Sequence, residues 1–327
     1  MADPFYTIYE YFCLLDIAEL FAAGGLLAQR LAHYAPRAEQ QAMATAVSEA
    51  LVARATLVAE AGTGTGKTFA YLAPALLHDA RVIISTGTKT LQDQLFHKDL
   101  PLLRKALEVP IEIALLKGRS NYLCLYRLES ALASERPRDR GQARDLRRIE
   151  QWAGRTRSGD IAELEGIRDE APIWSAITST ADNCLGGECP HLEACHLAKA
   201  RRRAQEADLV VVNHYLFFAD LALRDGGFGE LLPDADAIIL DEAHQLAEIA
   251  SYFFGVTVSS QQLLGLARDT IDEDLREAGE SRTLRQIAEQ MERALLDLLR
   301  DLAQRPRLPR LARLLIERIP PQPHLPG

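Results

Sequence analysis

The sequence predicts an α/β protein: a parallel sheet with helices on both faces, wound around a loop that holds nucleotide phosphates. Three observations predict it. Short apolar runs of strand length alternate with helical patterns. One run, Thr56–Ala59, leads into a glycine-rich loop and a Lys67-Thr68 pair that opens a helix. Another, Ala237–Leu240, ends in the acidic pair Asp241-Glu242, where the carboxyl end of a parallel strand faces the ligand crevice.

Composition permits this fold. The chain has 327 residues, 48% of them hydrophobic, enough for two or three packed units. No apolar run approaches the ~20 residues of a membrane span. The start of the chain lacks the basic and cleavage pattern of a secretory signal, so a cytoplasmic protein with no membrane partner is expected. The net charge of -9 gives no bulk argument for nucleic acid, and any such binding must use local patches. Five cysteines in a cytoplasmic chain point to ligands or free thiols, not disulfides.

Taken in order, residues 1–35 form an aromatic and apolar extension with no assigned role, and Cys13 within it reads as a core thiol. Arg37, Gln40 and Met43 begin a helical segment running to about Val52. The loop Ala61-Gly62-Thr63-Gly64-Thr65-Gly66 follows the first strand. Glycines let the backbone turn its N–H groups inward on a triphosphate, and the helix opening at Lys67 adds the positive end of its dipole. Ala61 stands where such loops usually carry their first glycine, and it is small enough to leave the loop open. Lys67 reaches the β- and γ-phosphates and the Thr68 hydroxyl holds Mg²⁺.

A helix over Thr68–Leu77, a strand at Val82–Ser85 and a helix over Thr90–Leu95 follow. The alternation breaks after about Val109 and resumes near Leu209, and the Arg- and Glu-rich interval reads as an inserted domain. Strands return at Leu209–Asn213 and Ala237–Leu240. Asp241 at the end of the last one is assigned to Mg²⁺, and Glu242 to the base that orients the attacking water. Beyond His244, Leu284, Ile287, Met291, Leu295, Leu298 and Leu302 recur at spacings of 3 and 4, one apolar stripe of a helical domain. The tail from Arg305 to Pro323 is too rich in proline to continue that helix.

Four cysteines of the interval form a second signal. Cys124 is separated by 59 residues from Cys184, which is followed after 4 and 5 residues by Cys189 and Cys195. Four thiolates from two segments can close on a [4Fe–4S] cluster or on zinc. The absence of any Cys-x₂-Cys pair favours the cluster. His191 and His196 lie in the same loop and are left out of the ligand set.

These motifs together resemble the DinG/XPD-like superfamily 2 iron–sulfur DNA helicases. The resemblance is carried by Glu60–Thr68, the Asp241-Glu242-Ala243-His244 box and the cysteine quartet. The stretches Ile84–Leu95, Leu116–Cys124, Val211–Phe217 and Gly227–Leu231 look like the bacterial YoaA branch. The likeness covers roughly residues 24 to 270. It implies a RecA-like first motor domain in two parts, 36–110 and 207–250, interrupted by a [4Fe–4S] domain at 111–206 and followed by part of a helical arch and tail at 251–327. It implies ATP-driven 5′-to-3′ movement on single-stranded DNA, or on DNA with a 5′ single-stranded tail, with replication or repair proteins as partners. Arg37 and Gln40 match the adenine-recognising motif, and Thr86, Thr90 and Gln94 lie in a motif that faces the DNA backbone.

Basic and aromatic residues interleave around the cysteines, at Lys117, Arg119, Tyr122 and Tyr126 and at Arg201, Arg202 and Arg203, which suits a single strand. Nothing after His244 resembles the second motor domain of these helicases, which supplies an arginine finger. The expectation is therefore a chain that binds ATP better than it hydrolyses it and does not unwind DNA by itself. Two alternatives stay open: a non-catalytic nucleic-acid-binding module that retains the nucleotide pocket, and another P-loop ATPase with a zinc module.

Overall fold

The computed structural model describes residues 16–303 apart from 33, 63, 134–139, 169–170, 182, 228–229, 256–259, 261–262, 268–269 and 272–281. Cys13, Thr63 and the proline-rich tail lie outside the described residues. The chain divides into two units, Met1–Phe254 and Gly255–Gly327.

Four parallel strands organise the first unit: β1 (Val82–Thr86), β2 (Ile113–Leu115), β3 (Leu209–Asn213) and β4 (Ala237–Leu240), in the order β2-β3-β1-β4. Val82 pairs with Leu209 on one side and Ala237 on the other. Ile113 pairs with Leu209, so β2 belongs to the sheet although it falls inside the span read as the insert. β1 and β3 are buried along their whole length, which is why Val82–Ile84 and Leu209–Val212 read as unbroken apolar runs.

Side-chain alternation sends successive strand residues to opposite faces. Val82, Ile84, Leu209 and Val211 pack with helices α1 (Ala38–Ala53), α2 (Lys67–Leu77) and, beyond the short helix α3 (Lys89–Gln94), α4 (Leu100–Leu107). Ile83, Val210 and Val212 pack on the other face, between helices of the second half of the chain. A π-helical turn, Leu95–Asp99, joins α3 to α4.

The interval between β2 and β3 has a core of its own. Helices α5 (Leu125–Ala133) and α6 (Arg140–Ala153) contribute Leu128, Ile149 and Trp152, which pack with Leu123, Trp174 and Ile177. Helix α7 (His196–Glu206) leads back to the sheet. Helix α8 (His214–Asp225) starts directly at the end of β3, capped by the Asn213 side chain on Leu216 N–H at 2.9 Å. Asp220 of α8 is buried and accepts from the N–H groups of Leu231 and Leu232 while pairing with Arg224, fixing the loop before β4. Helix α9 (Leu246–Phe254) closes the unit.

One expected strand does not form. Thr56–Ala59 is extended and unpaired, with Val58 93% exposed, and β4 ends the sheet with Ile238 49% exposed. Thr56 and three apolar residues set a preference for extended backbone, but pairing needs a ladder partner, and local preference is too weak to impose one. In the second unit, α10 (Arg282–Ala303) carries the expected helical stripe, with Ile287 and Leu298 still about half exposed.

Candidate nucleotide site and cysteine group

The phosphate loop is built on backbone that only glycine adopts easily. Gly64 and Gly66 have φ of 82° and 85°, and Gly66 caps α2. A Cβ on Gly66 would lie 2.2 Å from Gln40 Nε2 and displace that side chain, while the positive φ itself favours glycine. The Gln40 amide donates to the Gly66 carbonyl at 2.9 Å, and Arg37 donates to the carbonyl of Gly64. The two residues expected at the adenine thus brace the loop. They also line a cleft of ≈ 370 Å³ beside it, with Tyr34, Thr68 and Phe69. A larger cavity of ≈ 500 Å³ lies against α4, but no phosphate loop borders it.

The acid box stands at the carboxyl end of β4, facing the start of α2. Lys67 Nζ lies 3.6 Å from Glu242 Oε1, both side chains about one-third exposed. Asp241 is held by several neighbours. Its N–H donates to the Ser85 carbonyl at 2.9 Å, and its Oδ2 accepts from the Tyr71 hydroxyl at 3.2 Å. Burial and the adjacent Asp241 carboxylate push the Tyr71 pKa far above its usual value, so the phenol keeps its proton and donates. The Asp241 carbonyl accepts from His214 Nε2 at 2.7 Å, and His214 Nδ1 lies 2.7 Å from Ser85 Oγ. Burial lowers the His214 pKa, with the Asp241 carbonyl acting in the opposite sense. Glu242 follows in the left-handed region, φ 54°. Gln245, one turn on, sits over Gly87, where a Cβ would meet its Oε1 at 2.5 Å.

Of the residues the sequence singles out, Lys67 and Glu242 lie side by side, and Asp241 and Thr68 both reach Tyr71. Sequence reasoning missed Tyr71, Ser85 and His214. His214 lay within the singled-out stretch Val211–Phe217, but nothing in its spacing marked the contact to Asp241.

Three expected DNA contacts are corrected. Lys117 is buried at 3% exposure, with Nζ 2.6 Å from Asp93 and 2.7 Å from Asp160. Tyr122 is buried, its hydroxyl accepts the Lys117 N–H at 3.1 Å, and burial pushes its pKa up to about 12. Thr86 is buried and donates to the Thr88 carbonyl. A cation satisfied by two carboxylates and a ring closed off from solvent cannot take phosphates or bases. Thr90, Gln94, Arg119, Arg202 and Arg203 are at least partly exposed, as is Tyr126.

The four cysteines are all partly exposed and free. Cys124 precedes α5, with its N–H bonded to the Ile177 carbonyl, and Cys195 caps α7. Burial pushes the Cys124 thiol up, and Cys189, Cys195 and Cys184 push it the same way, so each of the three lies within electrostatic range of Cys124. Arg201, half-buried with Arg119 beside it, faces Cys184 and Cys195. Among the described residues no three His, Cys, Asp or Glu side chains are grouped to hold a single metal ion. No described helix is long and apolar enough to cross a membrane.

Residues 38–131 match the DEAD/DEAH box helicase family. The chain is 51% identical over 254 residues to the ATP-dependent DNA helicase YoaA of Haemophilus influenzae, covering 78% of this chain and 40% of that protein. It is 50% identical over 249 residues to the YoaA of Escherichia coli, covering 76% and 39%. The ATP-dependent helicase DinG of Mycobacterium tuberculosis is 37% identical over 255 residues, 71% of this chain and 38% of that protein. The chain therefore spans about 40% of the length of these curated relatives.

Proposed function

We propose that this chain, which carries a DEAD/DEAH helicase domain and is homologous to the YoaA and DinG helicases, is the ATP-binding part of a DNA helicase motor. The observation that carries this reading is the approach of Lys67 to Glu242 at 3.6 Å, with Asp241 fixed beside them. Without nucleotide, the lysine rests against the acid that is to orient water. The pair is partly exposed, so it is worth at most about 1 kcal/mol. A charge-assisted contact to phosphate is worth about 1.5–3 kcal/mol. ATP therefore draws Lys67 off Glu242 and leaves that carboxylate free to orient the attacking water. Loop N–H groups and the N-terminus of α2 receive the phosphates, and the base enters the cleft beside Arg37 and Gln40. Mg²⁺, held by Thr68 and Asp241, would neutralise charge on the phosphates.

The reading extends to the cysteines. Four soft donors from two segments, with the Arg201 cation beside them, fit a [4Fe–4S] cluster held by Cys124, Cys184, Cys189 and Cys195. Residues 111–206 then form an iron–sulfur insert, 36–110 and 207–250 the RecA-like motor domain, and 251–327 part of an arch. Movement runs 5′ to 3′ on single-stranded DNA in repair or replication, in the cytoplasm. A motor that steps along DNA needs two domains closing on ATP, and the described residues hold one such sheet. The test is DNA-stimulated phosphate release and strand displacement. We expect ATP binding by the 327 residues alone with weak hydrolysis, and unwinding only with a second motor domain supplied. Robust unwinding by these residues alone refutes that division of labour.

A further inference from the structure

We infer that His214 is a positioning residue for the acid box, holding the Asp241–Glu242 peptide in the orientation that nucleotide binding requires. The inference rests on the nucleotide-site reading above. His214 is fully buried at the start of α8, and both ring nitrogens have partners at 2.7 Å. A carbonyl oxygen can only accept, so Nε2 carries the proton and donates to Asp241. In the neutral ring Nδ1 is left to accept from the Ser85 hydroxyl. The imidazole thus spans from Ser85 of β1 to Asp241, the residue that follows β4.

The bond it makes falls on a particular peptide. The Asp241 N–H is already tied to Ser85 O, so the backbone entering Asp241 is set by the sheet. The backbone leaving it lies outside the sheet, where the Glu242 N–H donates to Asp241 Oδ1 at 3.0 Å. There Glu242 adopts φ 54°, a conformation that a residue with a Cβ resists. The His214 bond to the Asp241 carbonyl fixes the peptide plane just before that turn. Without it only the Glu242 N–H bond to Asp241 Oδ1 holds the peptide; relaxation of Glu242 towards ordinary helical backbone then moves its carboxylate away from Lys67 and breaks that bond, loosening the Asp241 carboxylate assigned to Mg²⁺. A buried histidine serving only the core would affect folding and leave the response to Mg²⁺ unchanged. A positioning role predicts a loss specific to the metal-dependent part of binding.

The experiment measures ATP affinity of the 327-residue chain by calorimetry, in Mg²⁺ and in EDTA. His214→Phe keeps the ring volume and removes both bonds. It should weaken binding in Mg²⁺ about tenfold, the scale of one well-placed hydrogen bond, and in EDTA by less than about twofold. His214→Gln, whose amide can reach the same carbonyl, should restore most of the loss. Equal affinity to wild type in Mg²⁺, or the same loss in both conditions, overturns the inference. If His214→Phe does not fold by circular dichroism, Ser85→Ala decides: we expect about a threefold loss confined to Mg²⁺, and no loss overturns it. A wild-type chain that binds no ATP overturns the nucleotide reading and this inference together. Binding that falls with Lys67→Ala but is indifferent to His214→Phe and Ser85→Ala overturns the inference alone.

Discussion

Replacing Lys67 by Ala tests the nucleotide site most directly, and the structure sets its size. In the wild type, ATP gains a charge-assisted contact from Lys67 worth about 1.5–3 kcal/mol. That contact is made at the cost of the Lys67–Glu242 pair. The pair is 3.6 Å long, with side chains 30% and 31% exposed, and pairs of that kind contribute about 0–1 kcal/mol. The net loss on Lys67→Ala is then about 0.5–3 kcal/mol, a roughly two- to 160-fold rise in Kd for ATP with Mg²⁺. Titration calorimetry reads it directly. The fold should survive, because the lysine is not part of the core, and an unchanged thermal melt checks this. An unchanged Kd would show that Lys67 does not meet the phosphates, and the assignment of the loop would fall with it.

Glu242→Gln should leave ATP binding unchanged or tighten it by up to about fivefold, since it removes the competitor for Lys67. It should also cut phosphate release at least about a hundredfold, and a turnover assay separates the two effects. Lys117→Met should destabilise the first unit by about 3 kcal/mol, because it leaves Asp93 and Asp160 facing each other without their shared cation; a thermal melt within a degree of wild type would refute the pairing. Anaerobically purified protein should contain iron and acid-labile sulfide, about four of each per chain, and Cys184→Ser should lose them. Stoichiometric zinc without sulfide would falsify the cluster. Asp220→Ala should cost about 1–3 kcal/mol, because it strands the Leu231 and Leu232 N–H groups, read again from thermal melts.

What the sequence made legible was local. Leu209–Val212 and Val82–Ile84 are apolar throughout because both faces of a central parallel strand are covered, and that burial writes itself into consecutive residues. The Gly64–Thr68 run is legible for the opposite reason: tight backbone and phosphate chemistry restrict each position separately. Thr56–Ala59 looked the same as the true strands, but pairing is a property of two segments and only one was in view. Lys117 and Tyr122 misled because a cation next to an aromatic ring is what a nucleic-acid surface also presents. The partners that neutralise Lys117 sit 24 residues before it and 43 after it (117 − 93 and 160 − 117). Tyr71 and His214 were missed in the same way, since the Tyr71 bond spans 170 residues.

These long-range contacts bear on how the cysteine group is attached to the motor core. Lys117 follows directly on β2 and its neighbouring segment leads to Cys124, the first of the four cysteines. Its ammonium is held by Asp93 of α3 on one side and by Asp160 of the interval's own fold on the other. Helix α3 also bears Thr90 and Gln94, the exposed residues of the motif expected to face DNA. Gln92 of α3 donates to the carbonyls of Leu116 and Val211 at 2.9 and 3.1 Å, so α3, the exit from β2 and strand β3 are bonded together at one point. A covalent insertion alone would leave the cysteine-bearing segment free to pivot on its two connections. Buried hydrogen bonds and a buried cation between two carboxylates are directional and costly to break, so they fix that segment against α3. A displacement of α3 would therefore carry the Lys117 segment with it or break the Lys117 contacts.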